Sequence, residues 1–427
     1  MLKKLFAFDA KEMSLRTEIV AGVTTFLTMS YILAVHPSIL EVTGMDKGAL
    51  FTTTALVAAI ATLLMAVVAK LPLGLAPGMG MNAMFAYTVC LMMGHTWQFA
   101  LMAVLLEGVV FVLLTVFNLW DKIIKAIPEA LKGSIATGIG MFIIFLGLKN
   151  AGVVVADETT LVRLGDLSAG SPTLALVGIV LTTVLYVKNV PGALLWGIVL
   201  TALIGIPLGE TRFDGFFSVP PSIDPIFMNM DWSAIWSPDM LIVLVSFLFV
   251  DLFSTTGTII GLTSIVSVDN EIKHFSLRKI FGVGSMAVTL ASVMGTSAVL
   301  TYIESATGIK AGGRSGVTAL VIAICFVLAL FMAPFFLAIP SAATTPVLVL
   351  VGMMMMSNMG KIDFKDFSET VPALICIIMM TLSFSIADGI ILGHLSYVGI
   401  NLLCGNHKKI SVGMYVLAAV FVMRFVI

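Results

Sequence analysis

The stretch LPLGLAPGMGMNAMFAY (Leu71–Tyr87) is apolar enough to lie in a bilayer, yet it cannot form an ordinary membrane-crossing helix. Pro72 and Pro77 each remove a backbone donor and clash with the preceding turn. Gly74, Gly78 and Gly80 raise the free energy of any regular element. The pattern predicts a short extended piece around Pro72–Ala76, then a half-helix starting near Gly78 that carries the amide of Asn82. Hydrocarbon tolerates such backbone only where protein or a water-filled cavity satisfies its polar groups. One expectation is a re-entrant loop or kinked helix without a ligand. The other is a substrate site at mid-membrane, with the half-helix N-terminus presenting free N–H groups. A second interrupted segment, VMGTSAVLTYIESATG (Val293–Gly308), favours the latter.

The rest of the chain sets the context. Of its 427 residues 59% are hydrophobic and 11% charged, more apolar surface than a soluble protein of this size could hide. Apolar spans fall at about 19–36, 49–69, 73–93, 98–118, 133–149, 172–187 and 191–208. After a polar stretch at 209–239 they resume at 240–263, 280–296, 297–311, 315–338, 342–357, 370–387 and 388–404. These are two sets of seven, each with its third member interrupted, so the third and the tenth spans correspond. Paired interruptions in equivalent places point to an inverted-repeat transporter. The expected fold is an all-α polytopic membrane protein of the seven-plus-seven inverted-repeat type, with about 14 transmembrane segments and short extended pieces in spans 3 and 10. The last apolar run, 411–427, carries Arg424 and reads as a short extra span or a helix lying on the membrane.

Loop charges orient the bundle. The basic start (Lys3, Lys4, Lys11, Arg16) reads as a cytoplasmic tail, and no cleavable signal is expected. Lys70, Lys122, Lys125, Lys132, Lys188, Lys273, Lys310, Arg314, Lys408 and Lys409 then share its side. The opposite loops are acidic, with Asp157, Glu158, Asp166, Glu210, Asp214, Asp224 and Asp231. The bias agrees with a cytoplasmic N-terminus in the cytoplasmic (inner) membrane.

Polar groups inside the spans are the candidates for function. In SFLFVDLFSTTGTIIG, Asp251 lies at mid-span, with Ser254 and Thr255 one helical turn on. A charge at that depth requires about 2.5–3.5 kcal/mol on insertion scales, so it needs a partner, a proton or a ligand. Glu107, in LLEGVVF, is a second mid-span carboxylate and a candidate for ion coupling. Glu304 follows the break in span 10, beside Tyr302, and is expected to start a half-helix. Asp251, Glu304 and Asn82 are expected to converge if both interrupted spans cross near mid-membrane. Phe85 or Tyr302 would supply an aromatic wall, and Thr28 is a further lining candidate. Two acceptors, an amide and an aromatic wall suit a flat, uncharged heterocycle bearing N–H groups. They suit an inorganic anion poorly, because two carboxylates would repel it. Glu18 reads as a cap of the first span, Arg314 as an interfacial anchor or partner of a nearby acid. Four scattered cysteines and five dispersed histidines show no metal spacing, and no catalytic grouping, cofactor or metal is expected. A net charge of −1 gives no case for nucleic acid.

These residues resemble a family, the purine permeases of the AzgA type, a branch related to the xanthine/uracil permeases. The resemblance rests on RTEIVAGVTTFLTMSYIL (Arg16–Leu33), LPLGLAPGMGMNA (Leu71–Ala83), TGIGMFIIFLGLKNAGVVV (Thr137–Val155), FVDLFSTTGTIIG (Phe249–Gly261), GTSAVLTYIESATGIKAGGRSG (Gly295–Gly316) and VPALICIIMMTLSFSIADGI (Val371–Ile390). It implies a core domain of residues 1–132 and 240–340, a gate domain of residues 133–239 and 341–427, and a homodimer. It also implies a purine nucleobase substrate carried with a proton, and binding roles for Asn82, Asp251 and Glu304. One position departs: where the family has a second acid in span 8, as in DLFDT, this chain has Ser254. Serine hydrogen-bonds but does not take up a proton near neutral pH. Proton coupling is therefore expected to rest on Asp251 or Glu304, with Glu107 as a third candidate. Guanine and hypoxanthine, which present N1–H to carboxylates, are expected to be favoured over adenine. A same-fold carrier of adenine, xanthine, uracil or a small anion, or coupling to an ion other than the proton, is the alternative.

Overall fold

Lys70 ends the second span in a left-handed conformation, with φ 60°, and residues 71–74 leave the helix for irregular backbone. The computed structural model describes residues 5–9, 13–117, 128–213, 215–267 and 276–426. Lys3, Lys4, Lys11, Lys122, Lys125, Lys273 and Asp214, which entered the charge reading, lie outside the described residues. Among those described, eight helices are long and apolar enough to cross a membrane, joined by four shorter apolar helices.

In the first half, span 1 is two helices, Leu15–Met29 and Ile32–Leu40, and span 2 runs Lys47–Ala69. Span 3 is strand β1 (Leu75–Pro77) followed by a helix over Met79–Met92, α-helical to Ala83 and π-helical beyond. Spans 4 to 7 are Trp97–Val116, Glu129–Asn150, Gly170–Val187 and Ala193–Gly205. A hairpin of β2 (Val154–Asp157) and β3 (Leu161–Leu164) joins spans 5 and 6. In the second half, spans 8 and 9 are Pro238–Ser267 and Leu277–Val293. Span 10 is strand β4 (Val299–Thr301) followed by a short helix, Ser305–Lys310. Spans 11 to 14 are Gly316–Leu337, Ser341–Met356, Phe367–Leu382 and Ile386–Leu403.

Helix starts follow local chemistry. Asp46 accepts from the Ala49 N–H at the start of span 2, Thr96 from Phe99 in span 4, and Ser385 from Asp388 in span 14. Asp388 thus sits in a first helical turn, as an acid there should. Two departures stand out. The apolar pattern reads span 1 as one helix, but the chain breaks at Ser30–Tyr31. It gives no sign of the β2–β3 hairpin, whose turn Asp157 holds by accepting from the Thr159 and Thr160 amides.

Packing sorts the helices. Span 5 lies against spans 12 and 13, span 6 against 7 and 12, and span 13 against 14. Span 1 lies against span 11 and the helix 305–310, span 2 against span 11, and span 4 against span 9. Span 2 buries small residues such as Ala55, Ala58, Ala61 and Thr62, which let helices approach closely where lipid offers no hydrophobic contrast. The terminal helix Val412–Val426 packs on span 14, where His394 Nε2 lies 3.0 Å from the Met414 carbonyl oxygen.

Candidate functional site

The two interrupted spans meet. Strands β1 and β4 pair antiparallel, with Leu75 opposite Thr301, Ala76 opposite Leu300 and Pro77 opposite Val299. Pro77 has no N–H to give, and the ladder is completed on either side of it. Gly78 N–H donates to Ala298 (3.0 Å) and Tyr302 N–H to Gly74 (3.0 Å). Gly74 N–H donates to Ser305 Oγ (3.0 Å), and Thr62 Oγ1 both accepts from Leu75 N–H (3.0 Å) and donates to its carbonyl (3.1 Å). This is how irregular backbone survives at membrane depth. The extended piece is therefore Leu75–Pro77 rather than Pro72–Ala76, because the pairing with β4 selects it. A side chain at Gly78 would have its Cβ 2.3 Å from Leu300 Cδ1, so any larger residue where the chain leaves the strand would force Leu300 to move.

A helix follows each strand, with Gly78 and Glu304 as N-caps. Glu304, expected to begin a half-helix, does so. Its Oε1 accepts from the Tyr31 hydroxyl at 2.7 Å, and the Tyr31 and Tyr302 rings are 6.3 Å apart. Tyr302 donates its own hydroxyl to the Pro77 carbonyl at 2.5 Å, tying one interrupted span to the other. Asn82 Oδ1 accepts from Ser297 Oγ at 2.5 Å, a second cross-link between them. Phe85 is fully buried one turn beyond Asn82. Thr28 Oγ1 bonds its own helix at Thr24 (2.7 Å) and lies 3.3 Å from Thr307 Oγ1, in the turn after Glu304.

Asp251 takes different partners. Thr255 Oγ1 donates to its Oδ1 at 2.7 Å, as the one-turn spacing predicts. From another span, Glu107 lies close enough to feel the charge of Asp251. Asp251, Thr255, Phe111, Ser285 and Thr301 line a cavity of about 10 Å³, room for about one water. Ser254 is half-buried. Both Glu107 carboxyl oxygens are buried and meet no hydrogen-bond partner among the described residues. The expected convergence is thus partial. Asn82 and Glu304 are joined through β1 and β4, whereas Asp251 reaches the same strand pair at Thr301 and is otherwise held with Thr255 and Glu107.

Sequence reasoning missed Tyr31, Ser297 and His36. His36 is buried, with Nε2 2.6 Å from Thr296 Oγ1 and Nδ1 without a partner among the described residues. Glu18 is a cap, but of span 11 rather than of its own helix. Its carboxylate accepts from the Arg314, Ser315 and Thr318 amides at 3.0, 3.3 and 3.2 Å, and from the Thr318 hydroxyl. The Gly-rich turn 312–316 is thereby fastened to span 1.

A bundle whose two halves each break at a strand, with the strands paired and buried carboxyls around them, has the form of a membrane transporter. Residues 16–392 match the profile of the Permease family named for the xanthine/uracil permeases, and the chain belongs to that family. It is a multi-pass membrane protein. Relatives match along the whole chain. A putative permease of Methanocaldococcus jannaschii is 44% identical, over 100% of this chain and 98% of its own length. An adenine permease of Escherichia coli is 38% identical, over 100% and 96%. A guanine/hypoxanthine permease of Bacillus subtilis is 39% identical, over 100% and 99%. Among solved structures, the transmembrane domain of a cyanobacterial bicarbonate transporter, BicA, superposes with a TM-score of 0.64 at 15% identity, covering 89% of this chain and 97% of that one. SLC26A9 does so with a TM-score of 0.66 at 10% identity, covering 94% and 68%. These share the seven-plus-seven inverted-repeat fold.

Proposed function

We propose that this permease carries purine nucleobases, and that the base binds at the β1–β4 junction. The observation that carries the reading is Glu304, a buried carboxylate at the head of a half-helix, oriented by Tyr31 from a third span. Asn82, Asp251 and Glu304 contact the base, Phe85 and Tyr302 wall it, and Thr28, Ser254 and Thr255 add short polar groups. Relatives named for adenine and for guanine/hypoxanthine support a purine. The carboxylate acceptors favour bases with N1–H, so guanine and hypoxanthine rank above adenine. Uptake of labelled hypoxanthine in cells lacking their own purine permeases should be blocked by guanine well before adenine. Stronger competition by adenine would reverse the ranking, and no purine uptake at all would remove the substrate assignment.

Residues 1–132 and 240–340 act as a core that moves against a gate of residues 133–239 and 341–427. The packing of span 5 on spans 12 and 13, and of span 1 on span 11, supports that division. Coupling is to the proton, through Asp251 and Glu107 with Glu304 as the substrate-side acid. Glu107 lies near Asp251 with both its carboxyl oxygens buried and without a hydrogen-bond partner among the described residues, the setting of an intramembrane group that takes up and releases a proton. The pair supplies two carboxyls where span 8 alone, with Ser254, supplies one. Glu107→Gln is expected to retain exchange of labelled for unlabelled base in proteoliposomes but to lose accumulation driven by an inward proton gradient. A variant that still accumulates base, and still responds to a protonophore, would take Glu107 out of the coupling.

A further inference from the structure

At the end of the bundle that carries the connections 41–46, 206–213 and 338–340, two cavities lie side by side. One, of about 420 Å³, is lined by Lys47, Glu210, Arg212, Pro334 and Pro340 among others. The other, of about 290 Å³, is lined by Val199, Leu203, Phe213, Phe216 and Phe335 among others. They share Ala338 and Ile339 as a common wall. The segment between them explains the division. Glu210 and Arg212 line the charged cavity, while Thr211 and Phe213 line the apolar one. Alternate residues along 210–213 thus line opposite cavities, and this short run sorts charge from hydrocarbon. The aromatic wall is ordered: the Phe213 and Phe216 rings are 4.6 Å apart, and those of Phe216 and Phe335 are stacked at 6.1 Å.

We propose that this double cavity binds one glycerophospholipid with a zwitterionic amine headgroup. The phosphodiester is met by Arg212, the ammonium by Glu210, and one acyl chain lies along Phe213, Phe216 and Phe335. Lys47 keeps its pairing with Glu41, at 3.0 Å, so among the described lining residues Arg212 and Glu210 are the charges left for the headgroup. That complementarity selects a headgroup carrying both signs over a purely anionic one. A nucleobase is a poor occupant, because half of the paired space offers it no polar group. The walls come from spans 2 and 11 on one side and span 7 on the other, so the lipid bridges segments that pack in different groups.

The test is native mass spectrometry of the full chain released from nanodiscs that contain equal phosphatidylethanolamine and phosphatidylglycerol. One phosphatidylethanolamine should stay bound through detergent removal. Arg212→Gln should weaken its retention about fivefold, the effect of one interfacial cation. Val199→Trp, which fills the apolar cavity without touching the charged one, should abolish it. Size-exclusion profiles matching the unaltered protein show that both variants are folded. The proposal is overturned if both variants hold lipid like the unaltered chain, if phosphatidylglycerol is retained equally, or if millimolar inorganic phosphate displaces the lipid, which would mark a free-anion site. A second copy of the chain in place of the lipid mass would overturn it too.

Discussion

Glu304→Gln is expected to lower purine uptake about 100-fold while leaving the amount of folded protein in the membrane unchanged. Glutamine keeps the shape and one acceptor oxygen, so the half-helix 305–310 should still start where it does. What is lost is the negative charge that a base N–H would meet; the glutamine oxygen can still accept from the Tyr31 hydroxyl, which donates to Oε1 at 2.7 Å. Removing one partner of a buried, hydrogen-bonded charge typically costs about 2–5 kcal/mol, which sets the size of the loss. Tyr31→Phe provides the graded control. It removes the hydroxyl but leaves the carboxylate, and the expected fall is about tenfold, the scale of one hydrogen bond to a charged group. Initial-rate uptake with hypoxanthine, normalised to protein in the membrane, reads both. If Glu304→Gln transports normally, Glu304 supports the fold and does not meet the base.

The contrast between what could and could not be read from the sequence has a physical origin. The interruption of span 3 was legible because proline and glycine act through local backbone chemistry, which a sequence displays directly. That Glu304 heads a half-helix, and that Thr255 answers Asp251, followed from spacing along one segment. Tyr31, by contrast, looks like any aromatic in an apolar span. Its role depends on a partner 273 positions away and on a break in span 1 that no proline or glycine announces. Ser297 and Asn82, 215 positions apart, are the same case. Glu18 was recognisable as a cap by type and position, but only the packing of span 1 on span 11 shows which helix it caps. The position of Asp251 beside Glu107 likewise depends on how spans 4 and 8 rotate against each other, which hydrophobic pattern leaves open when every face of a helix is apolar.

That dependence on close packing makes the buried Gly308 a sensitive point of the site. A Cβ there would lie 2.1 Å from Thr25 Oγ1 and 2.7 Å from the Ala21 carbonyl oxygen. The first contact could be relieved by rotating a side chain, although Thr25 Oγ1 would have to give up its 3.0 Å bond to Ala21. The second is backbone, so span 1 must move as a body. Span 1 also carries Thr28, 3.3 Å from Thr307, and leads into Tyr31 on Glu304. Gly308→Val is therefore expected to abolish uptake and to lower the thermal midpoint in detergent, with an overpacking penalty of about 1–3 kcal/mol. Thr25→Ala combined with Gly308→Ala should recover part of the stability, because the hydroxyl contact is gone, but little of the uptake, because the carbonyl contact still displaces span 1. Recovery of both together would mean that the hydroxyl clash alone matters and that Tyr31 keeps its place. Unimpaired uptake by Gly308→Val would mean that span 1 and the half-helix need not touch for the base to be carried, and the site would then have to be sought on the side of Asp251.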